Sequence, residues 1–515
     1  MPKIVIREFD KTTAGGAAYA NFAVVVPGFV SDSANLAVFD ENGVYECTNK
    51  EDFKKNVGLV KAKSHPVAGA KAPTRTEEEG WDTAKALTEE EFLIAIDTNE
   101  LFVATTNTSG TVGECKDEEY EYARAKTENN YVFKPQADST GDGFTLFMKL
   151  TDVGHDALTE DHYGNQIAYE LLGLGYTVLY KKIDDTASLS QETFWRPLKD
   201  KTLYDFRYLL SGVLSGNVEI YAHMVDVANF TPENANFDNI GPTTNGRGDC
   251  IALLDIDENY YQGNGVDQEV AISQVLASVK TMPKSKYAAV FAPSVKYASG
   301  GLSEHSFYEN QWFPASFHYL ACAARSSELY NEWYANAGYT RGISKYTIET
   351  VGCNFGEAAV NMFQRRASDP AKNILMAINP IINLRGTYYL WGNRTAEALG
   401  AAGTDKGDLT ASHFLNIRQL CSTIKKKVYV TCRQVTFDPN SDLLWVKFCN
   451  SIKPLLEKMK ADQGIADYKF IKVKSKRKAF LSAIIRIVPI EAVEDFDISI
   501  YLEDSLSGVI ATTEE

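Results

Sequence analysis

From Ser412 to Ile490 the residue pattern reads as two helices followed by a hairpin, with basic residues on much of the polar surface. Phe414, Ile417, Cys421, Ile424 and Val428 recur at alternating steps of three and four, which places them on one stripe of a helix. Arg418, Lys425, Lys426 and Lys427 fall off that stripe, and the three lysines crowd the last turns, where the helix dipole favours cations. Asp438-Pro439-Asn440-Ser441 predicts a turn and an N-cap. A second helix then buries Leu444, Phe448, Ile452, Leu455 and Met459, and Gly464 stops it. Pro454 falls inside that helix and is expected to kink it, because it removes a backbone donor. Strands are predicted over Tyr468 to Lys474 and Ala479 to Val488, joined by Ser475-Lys476-Arg477-Lys478.

Charge sets this stretch apart from the rest. The 515-residue chain is 44% hydrophobic and 23% charged, enough for several cores, and its net charge is −16. Such a balance argues against nucleic-acid binding by the chain as a whole. Yet Cys421 to Ile490 holds roughly fifteen Lys and Arg against about five acids. The plain reading of such a run is a solvated face; the alternative is a contact with an acidic partner. No stretch approaches the roughly twenty apolar residues of a membrane span, so no direct membrane insertion is expected. The eight cysteines lack Cys-x-x-Cys spacing and read as buried thiols from a reducing cytoplasm.

Upstream, Lys3 to Phe9 is strand-like and leads into a run of small residues, Thr12 to Ala18. It is either an edge strand of the neighbouring domain or a strand donated to another copy. Asn21 to Gly28 suits a buried strand. Residues 61–158 contain a Pro/Ala/Gly-rich linker, the acidic run Glu77-Glu78-Glu79 and short alternating strands, and read as an inserted β-rich domain. Strand candidates then alternate with helices: Thr177 to Tyr180, Asp205 to Leu210, Cys250 to Asp255 and Lys286 to Phe291, with a helix over Asp267 to Val279. That order predicts an α/β sheet with mainly parallel pairing. At the end, Phe496, Ile498, Ile500 and Leu502 alternate with polar residues, which is strand periodicity.

Chemistry-bearing motifs are incomplete. Asp255-Ile256-Asp257-Glu258-Asn259 opens like a calcium loop, but Tyr260 stands at the glycine position and Val266 at the bidentate acid. Gly173-Leu174-Gly175 lacks the third glycine of a dinucleotide fingerprint, and His155 and His162 have no third ligand nearby. Arg247-Gly248-Asp249 precedes a buried strand and reads as a loop coincidence. An α/β hydrolase or transferase would have to use Asp255 and Asp257, without a nucleophile–base pair. A monomeric adhesion or carbohydrate-binding protein would lean on the 61–158 insert.

The ordered set of motifs resembles the contractile-tail sheath proteins of bacteriophages. The residues that carry it are Ile378-Asn379-Pro380-Ile381, Leu390-Trp391-Gly392-Asn393-Arg394-Thr395, Arg418, Phe437-Asp438-Pro439-Asn440, Leu444-Trp445 and Gly464. Ile167 to Gly175, Phe313 to Ser316 and Glu332 to Gly338 resemble further sheath positions, with Ala315 where the family usually has a second Pro. The resemblance implies an α/β and α+β multidomain fold. Its parts would be an N-terminal arm (1–20), an α/β middle domain (21–60 and 159–400) with the insert (61–158) on its outside, a C-terminal helix-helix-hairpin domain (401–490) and a C-terminal arm (491–515). It further implies a structural subunit, not an enzyme, with no cofactor, metal or nucleic acid. Hexameric rings would stack helically around a tail tube protein, meeting baseplate and tail terminator proteins in a virion tail assembled in the host cytoplasm. A bacteriocin, an extracellular injection system and a type VI secretion sheath share this family. Ile4, Ile6, Phe496, Ile498, Ile500 and Leu502 become candidates for strands exchanged between subunits. Lys425, Lys426, Lys427, Lys476, Arg477 and Lys478 become candidates for the tube contact.

Overall fold

The computed structural model describes residues 23–31, 34–59, 164–184, 186–213, 217–230, 246–256, 281–297, 311–344, 346–350, 355, 377–398, 410–473, 481–490 and 492, and four further strands by backbone alone. Those four are Tyr131–Lys134, Thr145–Leu150, Ile374–Leu375 and Ala401–Ala402. The two arms, the helix expected over Asp267 to Val279, the histidines His155 and His162, and Lys476, Arg477 and Lys478 lie outside the described residues. So does the 61–158 insert, apart from the first two of those backbone strands.

The fold is mixed α/β, with one large mixed sheet and several small ones. In chain order its strands are β1 (Ala23–Gly28), β2 (Val44–Cys47), β3 (Tyr131–Lys134), β4 (Thr145–Leu150), β5 (Thr177–Lys182), β6 (Tyr208–Leu209), β7 (Ile251–Asp255) and β8 (Ala288–Ala292). There follow β9 (Val295–Tyr297), β10 (Gln311–Phe313), β11 (Thr347–Thr350), β12 (Ile374–Leu375), β13 (Ile378–Leu384), β14 (Thr387–Leu390), β15 (Ala401–Ala402), β16 (Ile465–Val473) and β17 (Ser482–Pro489). The large sheet runs β14-β13-β8-β7-β6-β1-β5-β2. Every pair from β13 to β5 is parallel, and the outermost strands β14 and β2 are antiparallel. The reason is in the residues. Ile251–Asp255 and Ala288–Ala292 are buried throughout, as strands covered on both faces must be, whereas Thr387–Leu390 alternates half-buried and buried, as an edge can. The segment expected as a strand over Asp205 to Leu210 contributes only Tyr208 and Leu209.

Helices α1 (Lys50–Asn56), α2 (Gly164–Gly173), α3 (Val218–Ala228) and α4 (Ala315–Leu329) pack on this body. Helix α2 lies on β1 and β5, α4 on β7 and β8, and α3 on β7. Together they enclose one continuous core from Val24 to Leu415. Helices α5 (Leu415–Val435) and α6 (Asp442–Ala461) follow, then the hairpin β16–β17. These form a second, smaller core of Trp333, Leu420, Ile424, Phe448, Ile452, Leu456, Met459 and Ile465. Ser441 caps α6, as the turn predicts. Three assignments need correction: α5 runs on to Val435, so Lys425, Lys426 and Lys427 stand in mid-helix rather than in its last turns, and two stripe positions differ. Leu456 rather than Leu455 is fully buried, and Leu420 rather than Cys421, because α5 meets both α6 and the sheet body and so turns a wider face inward. Pro454 lies inside α6 on its exposed side, and the helix continues through it.

Candidate functional site

The two cores meet at a seam that carries a series of polar contacts, and two of the motifs singled out in the sequence build one end of it. Asn379 is buried in β13 and donates from Nδ2 to the carbonyls of Val290 (3.0 Å) and Arg394 (2.9 Å), while its Oδ1 accepts from the Arg394 amide (2.7 Å). That single side chain fixes the Asn393-Arg394-Thr395 loop against β8. The loop in turn receives the start of α5. Helix N-termini leave amides without intrahelical partners, and the α5 N-cap, Phe414, has no side chain able to accept them. Asn393 does it instead: its backbone carbonyl accepts from Leu415 N (3.0 Å) and its Oδ1 from Asn416 N (3.1 Å). Asn393 Nδ2 donates to Asn416 Oδ1 (2.8 Å), and Asn416 Nδ2 reaches the Trp333 carbonyl (3.3 Å). The Arg394 guanidinium lies 4.6 Å from the centre of the Phe414 ring.

Further along α5, buried side chains of the body reach across. Gln419 Nε2 donates to the hydroxyls of Tyr208 (2.7 Å) and Tyr319 (2.6 Å). Arg207, held in the ladder by backbone bonds to Ala23 and Ile251, pairs with Glu332 (3.0 Å) and donates to Thr423 Oγ1 (2.5 Å); Thr423 donates to Glu332 Oε1 (2.8 Å). Sequence reasoning missed Arg207, Glu332 and Gln419. A polar Gln one step from the apolar stripe was the available signal.

The lysine run divides. Lys425 Nζ is folded against the body, donating to the Gly248 carbonyl (2.7 Å) and Tyr287 Oη (3.0 Å). Burial, then the nearby Arg418 charge, pushes its pKa down to about 8. Lys426 pairs with Asp205 of the body, and Lys427 alone of the three is exposed. Helix geometry dictates this, since successive residues lie about 100° apart and cannot share one face.

The hairpin β16–β17 buries one face. Tyr468, Phe470, Ala483, Ile485 and Ile487 pack on the second core, and no third strand pairs with it among the described residues. Both of its edges are therefore open there.

Other candidates have structural employment. Asp255, considered for catalysis and calcium, is buried at the start of α4, where its carboxylate accepts from Ser316 N and Oγ (both 2.7 Å); burial raises its pKa to about 7. Asp257 lies outside the described residues. Arg247 and Asp249 are buried and paired (3.0 Å), so the tripeptide they frame is not displayed to a receptor. Among the described residues no group of His, Cys, Asp and Glu could hold a metal ion, and no helix is long and apolar enough to cross a membrane. Cys47, Cys250 and Cys322 are buried thiols as expected, whereas Cys432 is exposed.

No family model and no curated protein matches the chain. The solved structures that match the chain are parts of contractile injection systems and sheath tail proteins. The sheath complex of an extracellular contractile injection system, PVC, in its contracted state is 13% identical, with a TM-score of 0.49 and 98% of each chain covered. A chain of the anti-feeding prophage baseplate is 11% identical, with a TM-score of 0.46 over 98% of this chain and 100% of that one. The sheath tail protein of Desulfitobacterium hafniense is 9% identical, with a TM-score of 0.37 over 95% and 100%.

Proposed function

We propose that this chain is the structural subunit of a contractile tail sheath of the phage type, which polymerises as stacked hexameric rings around a tail tube. In this reading contraction of the sheath drives the tube through the host envelope, and no bond is broken. The work comes from a free-energy difference between two packings of the same subunits. The observation that carries it is the ordered motif set from Asn379 to Gly464, whose Asn379, Asn393 and Arg394 converge on the start of α5. A side-chain knot of this kind holds the C-terminal module in one orientation on the body.

Two requirements of such a machine have counterparts in the chain. Subunits must stay connected while they rotate, and strands donated from the arms (Ile4, Ile6, Phe496, Ile498, Ile500, Leu502) to the open hairpin edges would meet this need. The tube contact must hold and then release, which a charge-based surface does better than a large apolar one. Lys427 and the tip Lys476-Arg477-Lys478 remain the candidates for it, with Lys425 and Lys426 acting through the seam. Baseplate and terminator proteins would meet the ends of the polymer, and the 61–158 insert would project outward. Negative-stain microscopy of the purified protein tests the reading: striated tubes are expected, and monodisperse particles at all concentrations overturn it. Deleting residues 1–20 or 491–515 should leave a folded protein that forms no tubes.

A further inference from the structure

The hairpin turns one face onto the second core and leaves the other uncovered. Register places Asp467 opposite Val488, Lys469 opposite Arg486 and Ile471 opposite Ile484. Tyr468, Phe470, Ile485 and Ile487 point inward, so by the alternation of strands the row of Asp467, Lys469, Ile471, Ile484, Arg486 and Val488 points outward. On that row Ile484 is 45% exposed and Val488 56%, and Ile490, next in the same alternation, is 41% exposed. Ile484 and Val488 on β17, with Ile490 just past its end, make an apolar stripe of exposed β-branched residues.

The stripe is interrupted by two cations in the least favourable place. Lys469 and Arg486 sit directly across the ladder from each other, an arrangement that destabilises a sheet. Neither has an acidic partner among the described residues, although Lys460, Lys472 and Lys447 on the same module each have one. Acidic groups placed between Lys469 and Arg486 would relieve the repulsion, and apolar groups on either side would cover the stripe.

We propose that this face docks a second copy of the chain, through an acidic surface carrying apolar residues. Charge favours that occupant. Thr410 to Ile490 holds 16 Lys and Arg against five acids, so the remaining residues carry a net charge of −27. One copy therefore offers both the cationic face and, elsewhere in its sequence, an excess of acidic residues to meet it, a head-to-tail contact that propagates. This is contact with a sheet face, separate from strand addition at the hairpin edges. It rests on the sheath reading and specifies where one subunit meets the next.

The test uses the purified full-length protein and follows polymer by sedimentation and light scattering. Arg486→Glu should raise the critical concentration for polymer by about tenfold or more. Arg486→Lys should assemble like wild type, and Val488→Thr should fall between the two. Each variant should keep the wild-type circular dichroism spectrum, since these side chains are exposed. A photo-crosslinking amino acid in place of Val488 should capture a second copy, through a peptide outside residues 410–490. Unchanged polymerisation of Arg486→Glu, or crosslinks confined to the same chain, overturns the proposal while wild-type tubes leave the sheath reading standing. Crosslinks that form only after tube protein is added overturn it in favour of the tube. Failure of the wild-type protein to polymerise at all overturns both.

Discussion

The sheet body and the C-terminal module solve the same problem on different scales. The body encloses a single core running from Val24 to Leu415, and it buries its polar groups too: Arg247 with Asp249, Asp255 with Ser316, His318 between Thr347 and Gly342. The module has a small core of seven of its own buried residues closed by Trp333 of the body, and its ion pairs Lys447–Asp438, Lys460–Asp467 and Lys472–Asp442 lie on the surface. Surface pairs add little stability, so the module depends on its small core and on the seam. The contrast teaches that one part is built to be rigid and the other to be held in place. A polar seam suits that division, because its groups can be hydrated if the parts separate, whereas an exposed apolar face would aggregate.

The contrast breaks if the module is as robust as the body. Ile452 is fully buried at the centre of the small core, and Ile452→Ala should cost about 4 kcal/mol by loss of burial and creation of a cavity. In urea, Trp445 fluorescence should then report a transition well before the circular dichroism of the body. Leu253→Ala, in the middle of the large sheet, should instead lower a single global transition. If Ile452→Ala also shifts the whole molecule as one unit, the two regions are not separable.

The next test acts on the seam itself. Arg207→Met leaves Glu332 without its cation and Thr423 without a donor, and should cost about 2–3 kcal/mol, less than a fully buried pair because Glu332 is partly exposed. The loss should fall on the module, read as faster hydrogen exchange in α5 and α6 with α2 and α4 unchanged. Protection lost equally in α2 would mean that Arg207 serves the sheet rather than the seam.

Gly464 gives a smaller effect and shows how much the sequence could disclose. A stop at this place was legible, but the residue that takes the left-handed conformation is Gln463, and Gly464 closes the turn only by donating its amide to the Met459 carbonyl (2.7 Å). Its second role was not legible: a Cβ there would meet the Trp333 indole at 2.6 Å, and Trp333 comes from the far side of the seam. Gly464→Ala should therefore destabilise the module by about 1–3 kcal/mol through overpacking, and Trp333→Phe in the same protein should recover part of it, as urea unfolding would register. Equal stability of Gly464→Ala and wild type would remove that contact from the argument. Periodicity likewise disclosed α5, α6, the hairpin and the parallel strands, because each follows from residues close in the chain. The seam was hidden because its partners are far apart in sequence, as with Arg207 and Thr423 or Gln419 and Tyr208. The lysine run was read as one cluster, since composition records charge but not the direction in which each side chain leaves the helix.

The finest test compares one lysine from each region. Burial pushes both Lys181 in the body and Lys425 at the seam down to a pKa of about 8. In the unfolded chain a lysine titrates near 10.4. Below pH 8 both states hold the proton and stability has no slope from these groups. Between about pH 8 and 10.4 the unfolded state binds more protons than the folded one, so each lysine makes stability rise with pH. Cys250, raised to about 12 by burial, works in the opposite direction above pH 9, so the raw profile mixes signs. The difference between wild type and Lys425→Met isolates the seam, and that between wild type and Lys181→Met isolates the body. Each difference should move in favour of wild type from pH 8 to 10. The Lys425 slope should appear in the Trp445 transition and the Lys181 slope in the circular dichroism of the body. Both slopes in one transition would show the seam to be as fixed as the sheet, and a flat Lys425 difference would show that its ammonium stays hydrated and free of Gly248 and Tyr287.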